Sequence, residues 1–261
     1  MDFHLAIALT LAFGIGLSLG LLGSGGSIVT LPVLVYVAGV PVTAAVGMSL
    51  AIVGGASVAG AWWKHRQGLV HWRAATLFGV TGMIGAMAGA QFTRLVSPAV
   101  LMLLFAALMV AVALRMLAQR GDDAIEPLPD CRPVRCGAAG LVVGVLTGFL
   151  GVGGGFLIVP AMILFARLPM ATAVGTSLVV IAANSFAGLL GHLAHTGLDW
   201  RLTTAFLAAS LVGMLGGVRI GGGISTAALR RAFGWFVLAV AGFVLAKDWQ
   251  SFVPVSISTR P

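Results

Sequence analysis

Shifted by 128 positions, this 261-residue chain aligns with itself without a gap. Gly23-Ser24-Gly25-Gly26-Ser27 falls on Gly151-Val152-Gly153-Gly154-Gly155, Pro32 on Pro160 and Pro41 on Pro169. Ala45-Val46-Gly47 meets Ala173-Val174-Gly175, and Ser49-Leu50 meets Ser177-Leu178. Trp72-Arg73 lands on Trp200-Arg201, and Gly85 and Gly89 land on Gly213 and Gly217. From Gly23 to Leu101, roughly 23 of 79 positions are identical, where so biased a composition would give roughly a tenth by chance. The chain is a duplication, and any fold must build one unit twice.

That unit belongs in a bilayer. Hydrophobic residues make up 59% of the chain and charged ones 8%, against about a quarter charged in soluble domains. Mean hydropathy is +1.09. A soluble fold of this size could not cover its surface with 15 Lys+Arg and 7 Asp+Glu. The composition excludes a cytosolic enzyme, a disordered tail and a nucleic-acid binder. The net charge of +8 is topological, cations held at one membrane face. Phe3 to Leu22 has no basic residue before it and reads as a retained membrane segment. The implied partner is the lipid bilayer; oligomeric state does not follow, and a homodimer stays open.

Composition divides the chain into a first transmembrane repeat (1–118), a hydrophilic linker (119–136), a second repeat (137–250) and a tail (251–261). The linker holds Asp122, Asp123, Glu126 and Asp130, with Cys131 and Cys136, two thiols that cannot complete a zinc site alone. Each half contains three stretches long enough to span, since a bilayer core takes about 20 helical residues. They are Val42–Trp63, Ala74–Thr93 and Pro98–Leu117, then Met170–Gly191, Leu202–Gly221 and Thr226–Leu245. The predicted class is therefore an all-α polytopic membrane protein with two helical repeats. Each repeat opens differently, with apolar residues on both sides of a glycine-rich break. In the second half the pieces run from Gly137 to Leu150 and from about Gly155 to Arg167, which predicts a pair of short helices before the three spans. Lipid cannot satisfy the open backbone of such a break, so protein or a wet cavity must surround it.

If that pair enters and returns, the two halves are inverted. The inverted reading places Lys64, Arg66, Arg73, Arg115, Arg120, Arg132, Arg135, Arg167, Arg219, Arg230 and Arg231 inside, and Arg94, Arg201, Lys247 and Arg260 outside. A parallel reading divides the same cations almost as well. The short broken pair favours inversion, with both termini outside.

Two glycine-rich breaks in register are the pattern expected where substrate binds between repeats near the midplane. The helices after the breaks start near Ser27 and Gly155, and helix N-termini attract anions without a cationic side chain. Gly25, Gly26, Gly153 and Gly154 let the backbone approach a ligand. Along the next spans Ser49 and Ser57, then Thr176, Ser177, Asn184 and Ser185, recur seven to nine residues apart, near one helix face. Ligand contact and interhelical hydrogen bonding are both open to them. His192 and His195 share a helix face and are candidate proton carriers or plain interfacial residues. Arg219 either faces the anion or snorkels to the interface.

Absences narrow the chemistry. No Asp or Glu lies within an apolar stretch, so neither a hard-oxygen cation site nor carboxylate-borne proton coupling is expected. No phosphate-binding Gly-x-x-x-x-Gly-Lys-Ser/Thr loop exists, and no cofactor or metal is expected. A transporter of small anions is the leading reading. A membrane-embedded enzyme or accessory subunit is the alternative, with only His192 and His195 to serve it.

Gly-Ser-Gly-Gly-Ser with Pro32, Gly-Val-Gly-Gly-Gly with Pro160, and Gly175-Thr176-Ser177 followed by Asn184-Ser185 and Gly188 resemble the sulfite exporter TauE/SafE family of membrane permeases. The resemblance covers essentially the whole chain. It implies transport of small sulfur-containing anions, such as sulfite or organosulfonates, across a bacterial inner membrane. It also implies a pocket at Gly25, Gly26, Gly153 and Gly154 and the Thr176–Asn184 face. Ser24 departs from the small apolar residue common in the family at that place.

Overall fold

The computed structural model describes residues 2–92, 98–118, 133–150, 155–193 and 199–252. Among them are ten helices and no strand. In order they are α1 (Asp2–Leu22), α2 (Gly25–Tyr36), α3 (Val42–Arg66), α4 (Trp72–Phe92), α5 (Pro98–Ala118), α6 (Pro133–Leu150), α7 (Gly155–Leu164), α8 (Met170–Leu193), α9 (Trp200–Gly221) and α10 (Thr226–Phe252). Thr43–Arg66, Met170–Leu190 and Trp200–Gly221 are each long and apolar enough to cross a membrane.

The opening of each half differs from expectation in one respect. Instead of two short helices there is a long one and a short one. α1 has 21 residues and α6 has 18, about 31 and 27 Å at 1.5 Å per residue, whereas α2 has 12 and α7 has 10. α6 starts at Pro133, inside the expected linker, because proline suits the first turn of a helix, where its missing N–H costs nothing. The rest of that linker and the glycines Gly153 and Gly154 lie outside the described residues. α2 then folds back on α1, with Gly26 against the Ile15 carbonyl and the Ser18 hydroxyl. The turn passes through Gly23 at φ 79°, a left-handed conformation that glycine adopts without a Cβ clash.

The most extensive helix contacts are α4 on α6 and α1 on α9, followed by α3 on α8 and α5 on α10. Glycines set the first two. A Cβ at Gly16 or Gly20 would fall on the α9 backbone at Ser210 or Met214, and one at Gly213 or Gly217 on α1 at Phe13 or Leu17. Gly85 and Gly144 bring α4 and α6 equally close. Small residues four apart allow this approach, and the Ser210 hydroxyl seals it by donating to the Ala12 carbonyl at 3.1 Å. In both pairs the contacts advance together along the two chains, so the helices are parallel. The α3–α8 pair runs the other way: Gly54 meets Ser185, Gly60 meets Leu178 and Gly188 meets Leu50. α3 and α8 are antiparallel.

This arrangement gathers charge at one end. There α3 finishes beside the start of α8, through Lys64 against Gly175, and beside the end of α9, through Arg219 over Trp63. Arg66, Arg73, Arg115, Arg135, Arg167, Arg230 and Arg231 lie at the same end, in the short turns and terminal helical turns that meet there. Outward-facing Val80, Ile84, Leu190, Val212 and Trp235 are more than half exposed, an apolar surface that fits lipid.

Candidate functional site

The first turns of the short helices α2 and α7 adjoin. A Cβ at Gly155, the first residue of α7, would lie 2.7 Å from the Ser27 hydroxyl and 3.4 Å from the Ile181 methyl, halfway along α8. The first four N–H groups of a helix lack internal partners and carry partial positive charge. The N-cap of α2 does not consume them: Ser24 makes no capping bond, and its buried hydroxyl has no partner. The Ser27 hydroxyl donates instead to the Ser24 carbonyl at 2.8 Å.

Beside this junction lies a cavity of about 520 Å³ walled by α2, α3, α4, α6, α7 and α8. Its polar groups come from Ser27, Ser49, Thr147, Asn184 and Ser185, and its lining contains no charged side chain. The rest is apolar or glycine: Val53, Phe78, Gly82, Met83, Met87, Gly144, Ile158 and Ile181 among others. Asn184 Oδ1 is buried and has no hydrogen-bond partner. Turning the amide half over puts its NH2 in that place, which is a donor. Hydroxyls and an amide line this volume, with the first turns of α2 and α7 beside it, a site that can solvate a small anion without a fixed counter-charge.

Four sequence candidates thus converge on the cavity: Ser27, Ser49, Asn184 and Ser185. Gly155 borders it through Ser27 and Ile181. Gly25 opens α2 beside the junction, whereas Gly26 is taken up by packing on α1. The remaining described candidates lie elsewhere. Thr176 is fully buried and its hydroxyl oxygen accepts the His71 backbone N–H at 3.0 Å, tying the α3–α4 turn to α8. Ser177 donates to the Val174 carbonyl at 2.8 Å and packs under Gly23. Arg219 is exposed, with its guanidinium 5.2 Å from the Trp63 ring centroid, at the Lys64 end and outside the cavity lining. His192 falls in the last turn of α8 and its side chain lies outside the described residues, as does all of His195. Among the described residues no group of metal ligands assembles.

The sequence profile described as Sulfite exporter TauE/SafE matches residues 8–244. The chain belongs to this family. It is 35% identical over 247 residues to a probable membrane transporter protein of Xylella fastidiosa (strain 9a5c), covering 92% of this chain and 94% of that one. Similarity extends to the probable membrane transporter protein YdhB of Bacillus subtilis, 25% identical over 89% of this chain and 96% of that protein. It reaches the probable membrane transporter protein MJ0441 of Methanocaldococcus jannaschii, 29% identical over 74% and 75% of the two chains. No solved structure matches.

This TauE/SafE protein is therefore a multi-pass membrane transporter, and its cavity lies beside the first turns of α2 and α7. Sequence reading missed part of the wall. Thr147 was the legible member: a hydroxyl four residues before the break, in an otherwise apolar stretch from Gly137 to Leu150, with its Oγ1 donating to the Gly144 carbonyl at 3.0 Å. Phe78, Gly82, Met83 and Met87 carried no signal, because only the close approach of α4 to α6 makes them a wall.

Proposed function

We propose that this TauE/SafE protein carries a small sulfur-containing oxyanion, such as sulfite or an organosulfonate, outward across the bacterial inner membrane. The observation that carries this reading is the meeting of the first turns of α2 and α7 at Ser27 and Gly155, beside a cavity whose lining holds hydroxyls and Asn184 but no carboxylate. Such a site favours an anion by N–H groups and dipoles. The antiparallel packing of α3 on α8 supports inverted repeats, and the cationic end supports a cytoplasmic Lys64 face. On this reading Ser27, Ser49, Thr147, Asn184 and Ser185 hold the anion.

For an anion leaving a negative-inside cell, the membrane potential supplies about 2.3 kcal/mol per charge per 100 mV. Export then requires no coupling ion. The test is flux of sulfite, an organosulfonate and sulfate in proteoliposomes under an imposed potential without a pH gradient. Wild type and the His192→Gln/His195→Gln variant should both export sulfite or the organosulfonate. Flux that needs a pH gradient and disappears with the histidines overturns the uncoupled reading. Absence of flux for every sulfur oxyanion overturns the substrate.

A further inference from the structure

On the other flank of the α3–α8 pair, the described positions equivalent to the open cavity are closely packed. The 128-position shift carries Ser49 onto Ser177, Ser185 back onto Ser57, Gly188 back onto Gly60, and Ala86 onto Met214. Equivalent positions of the open cavity are packed shut on that flank. Ser57, Ser177 and Met214 are all 0% exposed, and the Met214 methyl occupies the space a Cβ of Gly60 would need. Where one flank has Ala86 and a cavity of about 520 Å³, the other has Met214 and close packing.

The shut flank is nevertheless built with unused polarity. Ser57 Oγ is buried and has no hydrogen-bond partner. Lys64 lies one turn beyond Gly60 on the same face of α3, is 5% exposed, and among the described residues no carboxylate pairs with it. A buried unpaired oxygen costs stability if packing is its only role, and Lys64 adds a cation on the same helix face, toward the charged end. Ser57, moreover, stands where the open cavity has the lining residue Ser185.

We propose that this packed region is the shut form of a second anion chamber, which opens toward the Lys64 end when Met214 withdraws from Gly60. The proposal rests on the anion reading above and adds a site to it: in the open form, the Ser57 hydroxyl and the Lys64 ammonium receive a small oxyanion. The two flanks exchange roles, as opposed repeats can around a shared site, and α4 closes over Ser49 and Asn184 when α9 parts from α3.

The test reads sidedness without any transported anion. Ser57→Cys and Ser185→Cys are placed separately in the full chain, in sealed vesicles. A membrane-impermeant methanethiosulfonate is added to the Lys64 face or to the opposite face, and labelling is quantified at the introduced cysteine by peptide mass spectrometry, so Cys131 and Cys136 stay in place. Ser185→Cys should label from the opposite face and Ser57→Cys slowly. Met214→Ala should speed labelling of Ser57→Cys from the Lys64 face by roughly tenfold or more. Ala86→Met, which fills the open cavity with the side chain its counterpart carries, should speed Ser57→Cys in the same way and slow Ser185→Cys. This second change is informative even if Met214→Ala fails to insert. Labelling of Ser57→Cys that neither change alters, or that comes from the same face as Ser185→Cys, overturns the proposal. No anion is added, so failure of the sulfite assignment would leave this readout unchanged.

Discussion

Gly155 stands against the hydroxyl of Ser27, so that the first turns of α7 and α2 meet beside the cavity. The space between them is about one side chain deep. A Cβ at Gly155 presses only on the Ser27 hydroxyl, which can rotate, and meets Ile181 at ordinary contact distance, whereas a larger group fills the junction. Gly155→Ala should therefore retain part of the sulfite flux. Gly155→Val should lose at least roughly tenfold in flux while costing about 1–3 kcal/mol of stability. Thermal unfolding of the purified protein and flux in proteoliposomes check the two effects separately.

Asn184 offers a test in which folding and binding move in opposite directions. Its Oδ1 is buried without a partner, and a buried unpaired polar group costs about 1–3 kcal/mol. Asn184→Leu should leave the unfolding temperature unchanged or raise it. If Asn184 receives the anion, the same variant should weaken sulfite-driven flux by roughly tenfold or more. A variant that is stabilised and transports normally would remove Asn184 from the site.

Thr176 and Arg219 should behave as structural residues. Thr176→Val leaves the His71 N–H without its acceptor, at a cost of about 1–3 kcal/mol, but should keep the substrate concentration for half-maximal flux at the wild-type value. Arg219→Gln removes a cation at Trp63 and should likewise leave that concentration unchanged. An increase of tenfold or more in either variant would return the residue to the binding site.

Neighbouring glycines on α9 separate packing from propensity. A Cβ at Gly216 meets nothing within 4 Å, while one at Gly217 falls on the Leu17 carbonyl of α1. Gly216→Ala should be neutral, or stabilising by up to about 1 kcal/mol from helix propensity. Gly217→Ala should cost about 1–3 kcal/mol by overpacking. Thermal unfolding in detergent distinguishes them.

The helices and their breaks were legible in the sequence because both are local. Twenty apolar residues in a row have to close their own hydrogen bonds in lipid, and the first break turns through Gly23 at φ 79°, a conformation that glycine favours. The length of the first helix of each half was read less well. Pro133 begins α6 inside a hydrophilic stretch, and hydropathy alone does not see a helix start that depends on a proline at its first turn.

Which polar residues face the cavity was a different matter. Thr176 and Ser185 are nine residues apart, so at about 100° per residue they point to opposite sides of α8. Ser177 and Asn184 share a face, yet stand about 10 Å apart along the axis, and Gly23 covers the first while the second lines the cavity. The duplication determined that Ser49 has an equivalent in Ser177 and Ala86 one in Met214. It could not determine which flank is open, since the two halves present near-equivalent surfaces. Only the packing decided that, by seating Met214 against Gly60 on one side and leaving the volume beside Ala86 unfilled on the other.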